Sequence, residues 1–359
     1  MGIRVQGRAK RVAGAFQDWL HISGSGVAEA TERTASEQFF PMHDVDYGLR
    51  CFERQVTEDR LLSWLDEQQV NDTSQIIPRK ILCLHAGNLP MVGLQDVLAC
   101  LLLGQEYYGK ISRKDPFLIP SFLEFWMRRY PDESAVWSTD LDRYRQLRAE
   151  AVLFSGSSET VPKVRRLLRQ GAMVGDKTKY LIRTAHFSIA YLDRSDPAHL
   201  KSLAEAIARY EGRGCRSVAI VVSPVSLRSI QCHMTDFFEA FWTENPIAFE
   251  MSTRLRYRMA YNKAVGRPQA MLDAFLIEES DPGMDENVIY WVEGDTEKVR
   301  ELADRFSDQL QNIYVTGSHI KIRSWEDRTD LLSRAQCPVI SWKPDGTDVL
   351  GWLSRFNQK

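Results

Sequence analysis

The 359-residue chain reads as an α/β protein made of two doubly wound units. Three observations carry that reading. The length exceeds what one hydrophobic core usually serves, so two cores are the natural arrangement. From about residue 80 onward, short apolar runs of strand length alternate with amphipathic helical stretches, and such alternation builds parallel sheets flanked by helices. A glycine-bearing break, EGRGC at 211–215, then separates one series of elements from a second.

Taken in order, residues 1–69 predict an N-terminal helical region, with Phe16, Leu20, Phe39, Leu61 and Trp64 spaced between polar turns. Residues 70–210 predict a nucleotide-binding, Rossmann-like domain. ILCLHAG reads as a buried parallel strand, 91–104 as a buried helix stopped by Gly104, Tyr107–Ser112 as a strand, and the IPSFLEFWMRRY segment as a helix. AVLF, the turn SGSS and an amphipathic helix marked by Val161, Val164 and Leu167–Leu168 repeat the unit. LIRTAHFSIAYL at 181–192 reads as one further strand, and 198–210 as a helix. Residues 211–334 predict a second α/β domain, with strands SVAIVVSP, AFLIEE and VIYWVEG and helices at 235–245 and 296–311. A tail over 335–359 completes the chain.

Composition removes several function classes. Hydrophobic residues at 44% and charged residues at 26% lie near globular averages, which excludes a disordered or fibrous chain. With 46 basic and 48 acidic residues the net charge is −2, so no bulk positive field is available to hold nucleic acid or an anionic membrane. Phosphate recognition must therefore be local. No apolar run is long enough to span a bilayer, and no apolar stretch with a cleavage site follows the basic N-terminus, so the expectation is a cytoplasmic protein. The cysteines Cys51, Cys83, Cys100, Cys215, Cys232 and Cys337 are sparse and form no CxxC pair, which predicts reduced thiols and no metal site.

Cys215 follows a glycine-bearing turn, precedes a strand and stands between two α/β units, where ligand clefts form. Arg213 and Arg216 beside it would favour the thiolate. By spacing alone a buried structural cysteine is the favoured reading. The aromatic set Phe122, Phe125, Trp126, Phe237, Phe238, Phe241 and Trp242 has helical spacing and reads as core.

The segment AGNLPMVGLQDVLACLLLG at 86–104 resembles the LuxC-type fatty acyl-CoA reductases, relatives of the aldehyde dehydrogenases. KISRKDP at 110–116, VLFSGSSETV at 152–161, GRGCRSV at 212–218, YNKA at 261–264, AQCP at 335–338 and DGTD at 345–348 follow in that family's order, so the resemblance spans most of the chain. It implies an aldehyde dehydrogenase-like fold with the active-site cleft between its two domains and a tail returning to the cofactor domain. It also implies NADPH-dependent reduction of an acyl-CoA or acyl carrier protein thioester to the aldehyde, through an acyl group carried on Cys215.

The same resemblance assigns Asn88 as oxyanion donor together with the Cys215 amide. It assigns Lys110, Gly156 and Ser157 as cofactor contacts, and one of Glu278 and Glu279 as a nicotinamide-ribose ligand. Ser112 and Arg113, with no acidic residue beside them, favour NADPH over NADH. Ala185 and His186 stand where relatives carry an asparagine-arginine pair, and His186 is a candidate proton donor or base. The stretch 181–192 holds no glutamate, which agrees with thioester reduction rather than hydrolysis. Family relatives assemble, so a homo-oligomer and an acyl-activating partner enzyme are expected. A cysteine-dependent acyltransferase or thioesterase, and a noncatalytic acyl- or CoA-binding subunit, are the alternatives.

Overall fold

A computed structural model describes residues 5–37, 39–71, 77–247 and 249–356. The chain divides into two compact units, Met1–Thr184 with Val339–Lys359, and Ala185–Pro338.

The first unit begins with four helices, α1 (Val5–His21), α2 (Val27–Ser36), α3 (Met42–Gln55) and α4 (Glu58–Glu67). Thr57 caps α4 by accepting the Arg60 N–H. Then follow β1 (Lys80–Leu84), α5 (Leu94–Leu102), β2 (Glu106–Lys110), α6 (Leu118–Arg129), β3 (Ala135–Ser138), β4 (Ala149–Ser155), α7 (Val161–Gln170) and β5 (Val174–Arg183). The five strands are parallel in the order β3-β2-β1-β4-β5, the doubly wound dinucleotide-binding order without its sixth strand. α5 is buried along its whole length, which is why its sequence lacks amphipathic periodicity. Phe16 and Trp19 of α1 pack edge-on against Phe122 of α6, inside the same hydrophobic core as β1 and α5. The N-terminal helices thus belong to the core of this unit.

The second unit contains β6 (Phe187–Tyr191), α8 (Pro197–Ala208), β7 (Val218–Ser223), α9 (Leu227–Glu244), α10 (Thr253–Ala264), β8 (Gln269–Leu272), β9 (Phe275–Glu279), β10 (Val288–Glu293), α11 (Thr296–Arg305), β11 (Leu310–Val315) and β12 (Thr329–Leu331). Its sheet runs β12-β11-β6-β7-β10-β9-β8, parallel except for the β8–β9 hairpin. Asp273, at φ 51°, makes the tight turn of that hairpin.

The predicted strand 181–192 is two strands in different sheets. β5 ends at Arg183, and β6 starts at Phe187 between β11 and β7. The division therefore falls at Thr184, and β6 and α8, assigned by sequence to the first domain, lie in the second unit. Three residues separate two apolar runs, too short an interruption to register as a boundary.

α12 (Val349–Phe356) belongs to the first unit. Gln95 of α5 donates to the carbonyls of Ile340 (2.7 Å) and Trp342 (2.8 Å), and the Trp64 indole donates to Asp348 at 2.8 Å. Asp345 accepts the Thr184 N–H at 2.6 Å. The DGTD motif is thus a tether. Among the described residues no helix is long and apolar enough to cross a membrane.

Candidate active site

The chain leaves α8 through three consecutive residues in the left-handed region, Tyr210 (φ 56°), Glu211 (φ 56°) and Gly212 (φ 71°). Only glycine adopts that region freely, so Tyr210 and Glu211 hold strain that their surroundings must maintain. A Cβ on Gly212 would meet the Phe275 ring at 2.9 Å, so this position also needs glycine for space. Cys215 follows on a turn closed by Ser217 N–H donating to Gly214 O at 2.9 Å, and it is half-buried. Ser188 clamps the loop from β6: its hydroxyl donates to the Cys215 carbonyl (3.0 Å) and its N–H to the Ser217 carbonyl (2.9 Å).

A cavity of about 340 Å3 opens at the amino ends of β6, β7 and β10. Arg213 and Ser217, which flank Cys215 in sequence, line it together with exposed His186 and Glu286, half-buried Glu211 and Asp285, and buried Tyr290. Ile207, Ile247, Phe249, Ala274 and Phe275 supply an apolar wall. His186 lies in the connection before β6, with its N–H donating to Gln309 O at 2.8 Å, rather than within a strand. Arg213 is 2.7 Å from Glu211, so its charge is shared with that carboxylate. The aromatic set that reads as core behaves so at Phe122, Trp126 and Phe238, all fully buried.

The expectation of a ribose contact at Glu278 or Glu279 meets a different arrangement. Glu278 is fully buried and accepts hydrogen bonds from Arg258 (2.8 and 2.9 Å), Asn262 (2.5 Å) and Ser280 (2.5 Å). Glu279 accepts the Leu227 N–H at 2.9 Å, at the start of α9. Neither lines the cavity. Arg258 instead bridges Glu278 to Asp285, to which Tyr290 donates at 2.6 Å, so this network braces the cavity wall. Asn262 gives the YNKA motif its task there.

Burial alone would raise the Glu278 carboxyl, but the bonds from Arg258, Ser280 and Asn262 outweigh it and hold it down at about 2. A depressed carboxyl stabilises the fold above its unfolded pKa, and that contribution disappears as pH falls from about 4.3 toward 2. Glu278→Gln is therefore expected to cost on the order of 2 kcal/mol at pH 7, after screening of the partly exposed arginines. The deficit should shrink through that acid window in urea unfolding followed by circular dichroism. A deficit independent of pH would overturn the account.

In the first unit the candidate residues cluster at the carboxyl ends of parallel strands, where open α/β sheets bind ligands. Lys110, Ser112, Arg113 and Lys114 line a basic cavity of about 450 Å3 with Thr139, Asp140 and Leu141. Burial lowers the Lys110 ammonium, and Arg113 lowers it further. Asp140 was not visible as a neighbour of Lys110 in the sequence, because it follows a different strand, β3. Its carboxylate accepts the Asp142 N–H at 3.0 Å. Three cations still face one acid there, which suits a phosphate. Gly156 and Ser157 follow β4 and lead into α7, a helix start whose N–H groups suit a pyrophosphate. These residues fit a nicotinamide dinucleotide.

Asn88 is half-buried in the loop between β1 and α5. Two ties hold that loop. Gly87 packs so closely on Ser112 that a Cβ would lie 2.0 Å from its hydroxyl. Buried Asp115 accepts the N–H of Met91, a residue at φ 54°, at 2.7 Å. Burial pushes the Asp115 carboxyl up to about 6. Asp115→Leu is expected to lose the hydrogen-exchange protection of the Met91 amide about tenfold, while Asp115→Asn, which keeps an acceptor, retains most of it. Equal loss in both variants would remove Asp115 from loop positioning.

Two Rossmann-like α/β units with these strand orders define an aldehyde dehydrogenase-like fold. Aldehyde dehydrogenase 21 from Physcomitrella patens, in complex with the reaction product succinate, superposes with a TM-score of 0.65 at 12% identity, over 98% of this chain and 84% of that one. The P. syringae indole-3-acetaldehyde dehydrogenase AldA, in complex with NAD+, matches with a TM-score of 0.56 at 14% identity, over 92% and 74%. An NAD-dependent benzaldehyde dehydrogenase from Corynebacterium glutamicum gives 0.58 at 14% identity, over 87% and 75%. No family model matches the sequence, and no curated protein matches it either.

Proposed function

We propose that this chain reduces an acyl thioester to an aldehyde with NADPH, using Cys215 as nucleophile. The observation that carries the reading is the setting of Cys215: a strained left-handed turn and the Ser188 clamp hold it on a loop whose Arg213 and Ser217, though not Cys215 itself, line a cavity with an apolar wall and charged side chains. The aldehyde dehydrogenase-like fold and the ordered run of LuxC-type motifs support it.

The Cys215 thiolate attacks the thioester carbonyl, the acyl group moves to the cysteine sulfur, and the CoA or carrier thiolate leaves and takes up a proton. Asn88 and the Cys215 N–H are assigned the developing oxyanion. The apolar wall around Ile247, Phe249 and Phe275 receives the acyl chain and excludes water from the cysteine-bound thioester. Lys110, Ser112, Arg113, Gly156 and Ser157 hold the dinucleotide, with the three-to-one excess of cations favouring a 2′-phosphate. NADPH, when bound, supplies the hydride, and release of the aldehyde returns Cys215 as thiolate. A cytoplasmic homo-oligomer fed by an acyl-activating enzyme is the setting we assign.

One observation favours a second reading, oxidation of an aldehyde to the acid: Glu211 and Glu286 line the cavity, so carboxylates able to activate water stand near the Cys215 loop. A single assay separates the two. Purified protein is given a panel of acyl-CoAs with NADPH or NADH, and in parallel aldehydes with NADP+ or NAD+, with products identified by mass spectrometry. Thioester-dependent NADPH consumption with aldehyde formed supports the reductase. Acid formed from aldehyde alone supports the second reading. An acyl adduct on Cys215 without hydride transfer points to a transferase.

A further inference from the structure

The chain's net charge of −2 conceals an asymmetry. Residues 142–180 carry nine basic and four acidic residues, a net of +5, so the rest of the molecule is distinctly acidic. The fold gathers these charges on one face of the first unit. α7 exposes Lys163, Arg165, Arg166 and Arg169, and buries only Leu168. It packs beside β5, the edge strand of its sheet, which exposes Lys177 and Lys179. The Arg165 guanidinium lies 4.9 Å from the centre of the Tyr180 ring, which ties helix to strand. None of these six cations is ion-paired with a carboxylate among the described residues.

An apolar side chain stands among them. Leu167, between Arg166 and Leu168, is 42% exposed, although leucine on a helix that packs against a sheet ordinarily turns inward. We infer that the α7–β5 face is a docking surface for an anionic lipid bilayer, with the cations drawn to the headgroups and Leu167 entering the interface. A bilayer suits this face because a field of like charge on a helix and an edge strand needs no shaped counterpart, and because an exposed leucine amid arginines gains from a lipid interface. Lysines on an edge strand also discourage strand pairing, which accounts for Lys177 and Lys179 but not for the four cations of α7. The inference does not depend on the reaction assigned above.

The test is cosedimentation of the full chain with vesicles of phosphatidylcholine alone, or containing roughly one-third phosphatidylglycerol, at low and high salt. The expected result is binding to the anionic vesicles only, weakened by salt. The surface variant Arg165→Glu/Arg166→Glu/Arg169→Glu should lose about 100-fold in partitioning, since each basic residue near an anionic leaflet contributes several-fold. Leu167→Ser should weaken binding at any salt concentration. A control with the same charge change on exposed residues elsewhere, Lys201→Glu/Arg228→Glu/Lys321→Glu, should bind as the parent does. Equal binding to neutral vesicles, or equal loss in both triple variants, overturns the inference. Binding to polyglutamate or duplex DNA without binding to anionic vesicles also overturns it, and would indicate an acidic macromolecule instead.

Discussion

Cys215→Ala is expected, on the reaction proposed above, to reduce thioester-dependent NADPH oxidation by at least about 10^4-fold, because it removes the assigned nucleophile and with it the covalent route. The fold should not suffer. Cys215 is half-buried, the Ser188 hydroxyl contacts its backbone carbonyl, and alanine preserves that carbonyl. Circular dichroism and NADPH affinity should therefore match the parent, which separates loss of chemistry from loss of structure. Mass spectrometry after mixing with an acyl-CoA should show an adduct on the parent and none on the variant. Retention of more than about a tenth of the rate would remove Cys215 from the mechanism. Asn88→Ala should be milder, losing about 100- to 1,000-fold in kcat, the scale of one oxyanion donor.

Arg183→Met is expected to destabilise the first unit by about 3–5 kcal/mol. Arg183 ends β5 and Asp96 lies in α5; both are buried, and the guanidinium grips the carboxylate with both terminal nitrogens, one of them at 2.9 Å. Removing the arginine leaves a carboxylate charged and uncompensated in the core. The double variant Arg183→Met/Asp96→Leu should regain most of the loss, since a buried ion pair contributes little beyond what well-packed apolar groups supply. Urea unfolding of the single and double variants measures both. A single-variant cost under about 1 kcal/mol would mean that water reaches Asp96.

Several elements were readable because their signal is local. ILCL is a continuous apolar run because β1 is covered on both faces and flanked by β2 and β4, and the glycine and asparagine after it mark the loop that holds Asn88. The glycine-bearing turn before Cys215 was equally plain, and the structure shows why glycine is needed at Gly212. Short edge elements escaped. β3, β8 and β12 have three or four residues each, too few for a period to show. α10, with only Leu255 and Asn262 buried, has almost no apolar face to read.

Charged residues mark the limit most clearly. Glu278 and Glu279 look alike at the end of a strand, yet one is a buried anchor for Arg258 and the other accepts the first N–H of α9. Asp140 and Lys110 lie thirty residues apart and share a cavity only because β2 and β3 are neighbours. The linear sequence by itself determined the alternation of strands and helices, the glycine-bearing turn before Cys215 and the need for glycine there, because each depends on a residue and its near neighbours. Tertiary structure alone decided where one sheet ends and the next begins, which carboxylates are consumed by arginines, and which cations are left facing solvent. Those outcomes depend on which distant segments pack together, and a carboxylate or guanidinium has the same local signature whether its partner is water or another side chain.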